Sequence, residues 1–478
     1  MILTLLTLVY LACALLLTVY AVGELVLLFI YWYWQRSGQL GTPPPVNEWP
    51  SVTVQLPIYN ERYVVERLLE AVARLDYPRS QLTVQVLDDS TDDTAETAAA
   101  AVKRWQAEGL HIEHLRRSSR TGFKAGALAA GLARTTSELA VVLDADFLPS
   151  SDFLKRTVPY LVADPSLGMV QARWGHLNPF SNWLTLGQTL ALDGHFVVEQ
   201  TARCRAGWLM SFNGSGGVWR CRCIHEAGGW RDDTLTEDLD LSYRAQLAGW
   251  RFLYLPDVVI PAELPPQMTA YKQQQARWAR GSTQCLKHML RPLWASRCSL
   301  VQRIMATLHL CQYLPHPLML ALLLLTPPLL ISHGLERLPL GLLGLAGLGP
   351  PAVYIVSQRA LYPDWPRRLL AFPVLLAIGT GIAWSNTRAV IGGLIGPKGD
   401  FRRTPKFGRA TYDGRYRPAS DPHAWVEIGL AAYALLGLWL AWRIYPPLAP
   451  YLALYSFAFG AVALWSLSEN WRTSDKAD

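Results

Sequence analysis

The sequence predicts an α/β domain with a mostly parallel sheet, embedded between transmembrane α-helices. Three observations carry this. Short extended runs alternate with helical ones between residues 52 and 143. Acidic residues close two of those extended runs, at Asp88 and Asp144. Outside residues 50–290, apolar runs of roughly 20 residues recur, the length a helix needs to cross a bilayer. Of the 478 residues 51% are hydrophobic and only 17% charged, so a soluble domain and a membrane part must share the chain unevenly.

Met1 to Trp34 lacks a basic start and a small-residue cleavage site, and its apolar stretch is too long for a secretory signal. It reads as an uncleaved anchor, with Tyr31-Trp-Tyr-Trp34 and Arg36 as an aromatic belt meeting cytoplasmic charge. Gly41-Thr-Pro-Pro-Pro45 marks a linker. Then Val52–Gln55, Leu82–Leu87, His111–Leu115 and Leu139–Leu143 read as strands, and Glu61–Leu75, Asp92–Glu108 and Gly122–Ala133 as helices. Such alternation gives a parallel sheet covered on both faces. Ligands gather beyond the carboxyl ends of such strands, where Asp88 and Asp144 fall.

Beyond residue 300 the apolar runs are 306–332, 338–357, 369–394, 424–443 and 448–467. Between Gly396 and Pro418 stand seven Lys or Arg against two Asp, which marks a cytoplasmic loop. For that loop and the catalytic part to share one side, 369–394 must lie along the interface or re-enter, and its Gly379-Thr-Gly381 break suits this. The expectation is five crossings. The net charge of +7 sits between spans and makes no soluble basic patch, which argues against nucleic acid as a partner. Cys221-Arg-Cys223 with His225 is too tight for a zinc site and has no second ligand pair. Reduced cytosolic thiols account for it.

The chemistry-bearing residues come in a fixed order. Asp144 and Asp146 close a strand, where residues two apart point the same way. Two carboxylates there can share Mg²⁺ or Mn²⁺, which bridges to diphosphate oxygens and offsets charge on a leaving diphosphate. A pair of solvated loop acids is the plainer alternative. Asp88-Asp89 either cap the next helix or set a carboxylate against the base or ribose of a nucleotide. Lys124 stands where a helix begins after a small turn, a place suited to phosphate, although a solvated lysine would look the same. Thr236-Glu237-Asp238 open a helix, where acids are favoured by the dipole. A base that takes a hydroxyl proton must be a carboxylate or imidazole within reach, and Asp238 is the choice, with Glu237 supporting. Gln274, Arg277 and Trp278 at i, i+3 and i+4 share one helix face. Two donors there can grip a diphosphate, and the indole can stack on an acceptor sugar.

As a set these residues resemble membrane-bound glycosyltransferases of family 2, the cellulose, chitin and hyaluronan synthase group, with its D, DxD, TED and QxxRW marks. The likeness extends to cellulose-synthase-like mannan and glucomannan synthases through Gln85-Val-Leu-Asp-Asp-Ser-Thr91, Gly122-Phe-Lys-Ala-Gly-Ala-Leu128, Val170-Gln-Ala-Arg-Trp174, Phe212-Asn-Gly-Ser-Gly-Gly-Val-Trp-Arg220 and Glu226-Ala-Gly-Gly-Trp230. Phe401-Arg-Arg-Thr404-Pro-Lys406 resembles the gating-loop motif Phe-x-Val-Thr-x-Lys, with Arg403 in place of Val.

The resemblance implies a GT-A-type, Rossmann-like domain that inverts configuration without a covalent sugar intermediate. A nucleotide-sugar donor, GDP-mannose or UDP- or GDP-glucose, would meet Asp88, Asp89, Lys124, Asp144, Gln274, Arg277 and the loop residues Phe401, Thr404 and Lys406. Asp144 and Asp146 would hold Mg²⁺ or Mn²⁺, and Trp278 the acceptor. The implied product is a β-linked polysaccharide threaded through the membrane; a glycolipid synthase acting on ceramide or diacylglycerol, and a catalytically dead scaffold, are the alternatives. The expected layout is an anchor over residues 1–35, a cytosolic domain over 36–295, and a membrane domain over 296–470 with the loop at 395–420. The protein is thus expected in the cell (plasma) membrane among its lipids, with catalysis on the cytoplasmic side; the sequence does not indicate an oligomeric state.

Overall fold

The computed structural model describes residues 1–35, 41–43, 45–335, 338, 344, 346–397, 399, 403–404, 406, 408, 421 and 423–474. Seven strands form one sheet: β1 (Val52–Ile58), β2 (Leu82–Asp88), β3 (His111–Arg116), β4 (Leu139–Val142), β5 (Leu167–His176), β6 (Gly217–Arg220) and β7 (Arg251–Ala262). Their order is β3-β2-β1-β4-β6-β5-β7. β6 runs antiparallel to both neighbours, and every other pair is parallel. Parallel strands are usually buried on both faces; β1, β2 and β4 are so along nearly their whole length, whereas the edge strand β3 is partly exposed. Val52, Val54, Leu56, Val84, Val86 and Val141 pack into one core. Ala140, Val142, Met169 and Trp219 pack into a second on the opposite face.

The register sets Ile58 of β1 against Asp88 of β2, so the two strands end level. Asn60, at φ 56°, turns the chain there, and its Oδ1 accepts the Thr91 amide at 2.9 Å. The helix expected from Glu61 begins later, as Val65–Ala73. Glu61 is left in the preceding turn, its carbonyl accepting the Val65 amide at 3.0 Å, and its side chain turns toward the carboxyl ends of the strands.

Among the described residues three helices are long and apolar enough to cross a membrane: Ile2–Gln35, Ala424–Ile444 and Pro446–Glu469. Two further stretches are bent pairs, so the number of spans rises to five if each pair counts as one. The run 306–332, expected to be continuous, is Leu300–Leu310 and Pro315–Ile331 meeting at 67°; Pro315 lacks the amide needed to carry the first helix on. The run 369–394 also breaks, where Trp365–Gly381 and Ala383–Ile395 meet at 45°. At that break a Cβ on Gly381 would lie 2.4 Å from Val462 Cγ2, so glycine allows the close approach of the C-terminal helix. The run 338–357 is described in part, as the helix Gly349–Leu361, and most of the basic loop lies outside the described residues.

The membrane helices are tied to the sheet domain through the helix Met268–Ala295. Its first amides, of Met268 and Thr269, donate to the Glu469 carboxylate at 2.7 and 3.1 Å. Its buried Lys272 lies 2.5 Å from Glu427 and also contacts Asp421. A helix start leaves amides unsatisfied, and here a carboxylate about 200 residues away in sequence satisfies them.

Candidate active site

A cavity of about 500 Å³ opens at the carboxyl ends of β1, β2 and β4. Asp89, Lys124, Asp144, Asp146, Glu237 and Asp238 line it. Gln274, Arg277 and Trp278 line it from the helix Met268–Ala295, and Thr404 and Lys406 from the basic loop. The marks singled out in sequence thus converge in one cavity, with two exceptions. Asp88 does not line it. That side chain is fully buried beneath, accepting the Ser90 amide and facing His114 Nε2, each at 2.8 Å. Expected to meet nucleotide, Asp88 instead holds the turn after β2 to β3 through Ser90 and His114. Phe401 lies outside the described residues.

Asp144 and Asp146 do not sit on a strand. β4 ends at Val142, and the two acids occupy a turn closed by the Phe147 amide donating to the Asp144 carbonyl at 3.0 Å. Both carboxylates nonetheless face the same cavity. Asp144 Oδ1 is 2.6 Å from Lys124 Nζ. Asp146 Oδ2 accepts the Glu263 amide at 3.0 Å and the Lys406 ammonium at 2.7 Å.

Lys124 follows Gly122 and Phe123, both at positive φ (73° and 50°), a sharp turn that starts the helix Phe123–Ala133. Its ammonium also donates to the Gly214 carbonyl at 2.8 Å and stands 3.8 Å from Glu237. Burial works against that charge, but Asp144, Glu237 and Asp238 outweigh it and raise the Lys124 pKa. Asp238 opens the helix Glu237–Leu247. Burial, then the neighbouring Glu237, push its carboxyl up to about 7, against the pull of Lys124 and Arg277. A carboxylate poised there is suited to proton abstraction near neutral pH. Gly214, at φ 82°, lies against it, and a Cβ at Gly214 would come 2.9 Å from Asp238 Oδ2.

Other lining residues carried no motif. Glu61 Oε2 lies 2.8 Å from the Arg403 guanidinium; burial pushes the Glu61 carboxyl up to about 8, with Arg403 opposing. The Arg120 guanidinium lies 3.4 Å from the centroid of the Tyr59 ring, a cation–π stack. Both Tyr59 and Glu61 follow the carboxyl end of β1, the same topological signal that picked out Asp144. His195, Glu199 and Asn213 also face the cavity.

Among the described residues no group of three or more His, Cys, Asp or Glu side chains is placed to hold a metal. Asp144 and Asp146 offer two hard oxygen donors in one cavity. That suits a hard divalent cation which takes its remaining ligands from substrate phosphates and water. Cys221 and Cys223 open a short helix, Cys221–Glu226, and burial pushes both thiols up to about 12.

Comparison with known proteins bears on this geometry. A family model described as Glycosyltransferase like family 2 matches residues 50–281. Glucomannan 4-beta-mannosyltransferase 2 of Arabidopsis thaliana is 39% identical over 278 residues, covering 56% of this chain and 52% of its own length. Glucomannan 4-beta-mannosyltransferase 1 of Oryza sativa subsp. japonica is 42% identical over 256 residues, covering 53% of this chain and 48% of its own. The chain therefore spans about half the length of these curated relatives. A mannosyltransferase from Pyrobaculum calidifontis, solved in complex with GDP-Man and Mn²⁺, shares the fold. It superposes with a TM-score of 0.57 at 24% identity, over 82% of this chain and 99% of that one.

Proposed function

We propose that this membrane protein, whose residues 50–281 match a family model described as Glycosyltransferase like family 2, transfers a hexose from a nucleotide sugar to the growing end of a β-linked polysaccharide. The carrying observation is the placement of Asp238, a carboxylate raised to about 7, in one cavity with Asp144, Asp146, Arg277 and Trp278. Proton acceptor, phosphate-directed charge and an indole platform meet there, which is what sugar transfer to a hydroxyl requires.

In this reading Asp238 accepts the proton of the acceptor hydroxyl as that oxygen attacks the anomeric carbon from the face opposite the diphosphate. Lys124 and Arg277 supply positive charge to the departing diphosphate, and Trp278 stacks on the acceptor ring. Asp144 and Asp146 would hold a divalent cation, Mn²⁺ or Mg²⁺, whose chemistry is to neutralise the leaving group. Tyr59, Asp89 and Arg120 surround the base and ribose. Lys406 and Thr404 bring the basic loop over the donor. The similarity to glucomannan 4-beta-mannosyltransferases favours a mannosyl donor, GDP-mannose, and a β-1,4 linkage. The seven Lys or Arg among residues 396–418 support a catalytic domain on the cytoplasmic side of the cell membrane.

The test is purified full-length protein in lipid nanodiscs, given GDP-mannose, UDP-glucose or GDP-glucose one at a time with Mn²⁺ or Mg²⁺, and the product sized. Polymer from a mannosyl donor supports the reading, and single sugars on lipid as the sole product refute it. Asp238→Asn is expected to lower turnover by about 10²–10⁴-fold, the usual contribution of a general base, with nucleotide binding retained. Unchanged turnover removes Asp238 from this role.

A further inference from the structure

On the far side of the Asn213-Gly214 turn from Lys124, the cavity wall is made by residues that no motif marks. The helix Trp183–Asp193 does not pass straight into the helix Thr201–Arg205; between them Gly194–Gln200 winds as a π-helical turn. Such turns carry a geometric cost and concentrate at functional sites. This one is backed by membrane-side elements: Val197 and Val198 pack with Leu27 and Tyr31 of the N-terminal helix and Val353 of the helix Gly349–Leu361. With its apolar residues held that way, His195 and Glu199 line the cavity.

Their hydrogen bonding is directional. Gln200 Nε2 donates to Asn213 Oδ1 at 2.5 Å and to the Ser211 carbonyl at 2.9 Å, which fixes the Asn213 amide. Asn213 Nδ2 therefore faces His195 Nε2, at 3.0 Å, and donates to it. The other ring nitrogen, Nδ1, carries its proton toward Glu199 Oε2, also at 3.0 Å. Burial raises the Glu199 carboxyl, but His195 and then Arg203 pull it below its usual range, so an ionised acceptor is presented about a fifth exposed, at 22%. The next residue after Asn213 is Gly214, which abuts Asp238. The chain Glu199–His195–Asn213 thus ends one residue from the proton acceptor. It reaches that point from the membrane side, whereas the donor-directed groups come from the strand ends and the basic loop.

We propose that Glu199, held in place by His195, accepts hydrogen bonds from hydroxyls of the acceptor sugar and orients its reacting hydroxyl toward Asp238, setting which acceptor is used. An ionised carboxylate has about four acceptor sites, of which the Nδ1–H of His195 takes one. Glu199 can therefore also accept from sugar hydroxyls while His195, with both ring nitrogens engaged, holds it in place; an acceptor positioned in this way gains from orientation that water lacks. The proposal rests on the saccharide-polymer reading above.

The experiment compares full-length wild type with Glu199→Gln and His195→Ala in nanodiscs, with GDP-mannose as donor and a β-1,4-linked manno-oligosaccharide as the acceptor probe. Three quantities are read: KM for the oligosaccharide, the rate of GDP-mannose hydrolysis to water without it, and Kd for GDP. The expected result is a rise of roughly tenfold or more in oligosaccharide KM, the effect of losing a hydrogen bond to a charged group. Hydrolysis and GDP affinity should stay at wild-type levels, which also shows that each variant is folded. The inference is overturned if both variants keep the wild-type oligosaccharide KM, or if Kd for GDP rises in step with it, which would put the pair on the donor. Wild-type protein that transfers mannose to lipid alone would refute the polymer reading, and with it the saccharide ligand assigned here; the wild-type arm therefore separates the two failures.

Discussion

Lys406 Nζ lies 2.7 Å from Asp146 Oδ2, joining residues 260 apart in sequence. The same ammonium donates to the Glu263 carbonyl at 2.8 Å, and the Gly408 amide to the Glu263 carboxylate at 3.1 Å. With Arg403 on Glu61, the basic loop is fastened to the rim of the cavity by ion pairs and backbone contacts.

Lys406→Met is expected to loosen this attachment and weaken nucleotide binding. Hydrogen bonds to charged groups contribute about 1.5–3 kcal/mol, so Kd for GDP should rise by roughly 10–100-fold. Isothermal titration on the solubilised protein measures this directly. An unchanged Kd would separate the loop from the donor site.

Turnover at saturating substrate is expected to fall on the acid side of neutrality. Asp238 accepts a proton only when ionised, and burial and Glu237 raise its carboxyl to about 7, so the rate climbs as pH passes through that value and then levels. Glu237→Gln removes a like charge and is expected to move the acid limb to lower pH. An initial-rate profile of nucleotide release from pH 5 to 9 reads both effects; a limb that stays in place in the variant excludes Glu237 as the cause.

Gly214→Ala should damage catalysis more than binding. The new Cβ would meet Asp238 Oδ2 at 2.9 Å, at a φ of 82° that L residues rarely adopt. Left-handed backbone costs a residue with a side chain roughly 1–2 kcal/mol, and moving the base away should lower kcat by about tenfold or more, the equivalent of 1.4 kcal/mol. GDP affinity within a few-fold of wild type distinguishes a displaced base from a collapsed site.

Glu469→Ala removes the carboxylate that caps the helix bearing Gln274, Arg277 and Trp278. Loss of a cap costs about 0.5–2 kcal/mol, and the expected result is a lower Tm with lower activity. Glu469→Gln, which still accepts hydrogen bonds, should recover most of the Tm; equal loss in both variants would mean that charge and not capping is at work.

Much of this was legible in one dimension. The alternation of strands and helices, the break near Gly379-Thr-Gly381, and the helix face shared by Gln274, Arg277 and Trp278 follow from side-chain periodicity, which is a local property. Asp144, Asp146, Glu237 and Asp238 were marked by residue type at strand ends and helix starts. At Asp88 the strand end was legible in sequence, but the side chain's partners were not all local: it accepts the Ser90 amide two residues on and faces His114 of β3, 26 residues away.

Tertiary structure alone decided the rest. It set Lys406 on Asp146, Arg403 on Glu61 and Glu469 on the amides of Met268 and Thr269, and it turned His195 and Glu199 into the cavity through a π-helical winding. Each of these pairings depends on where the whole chain closes. Periodicity reports which face of an element is buried; it carries no record of which distant element arrives to bury it.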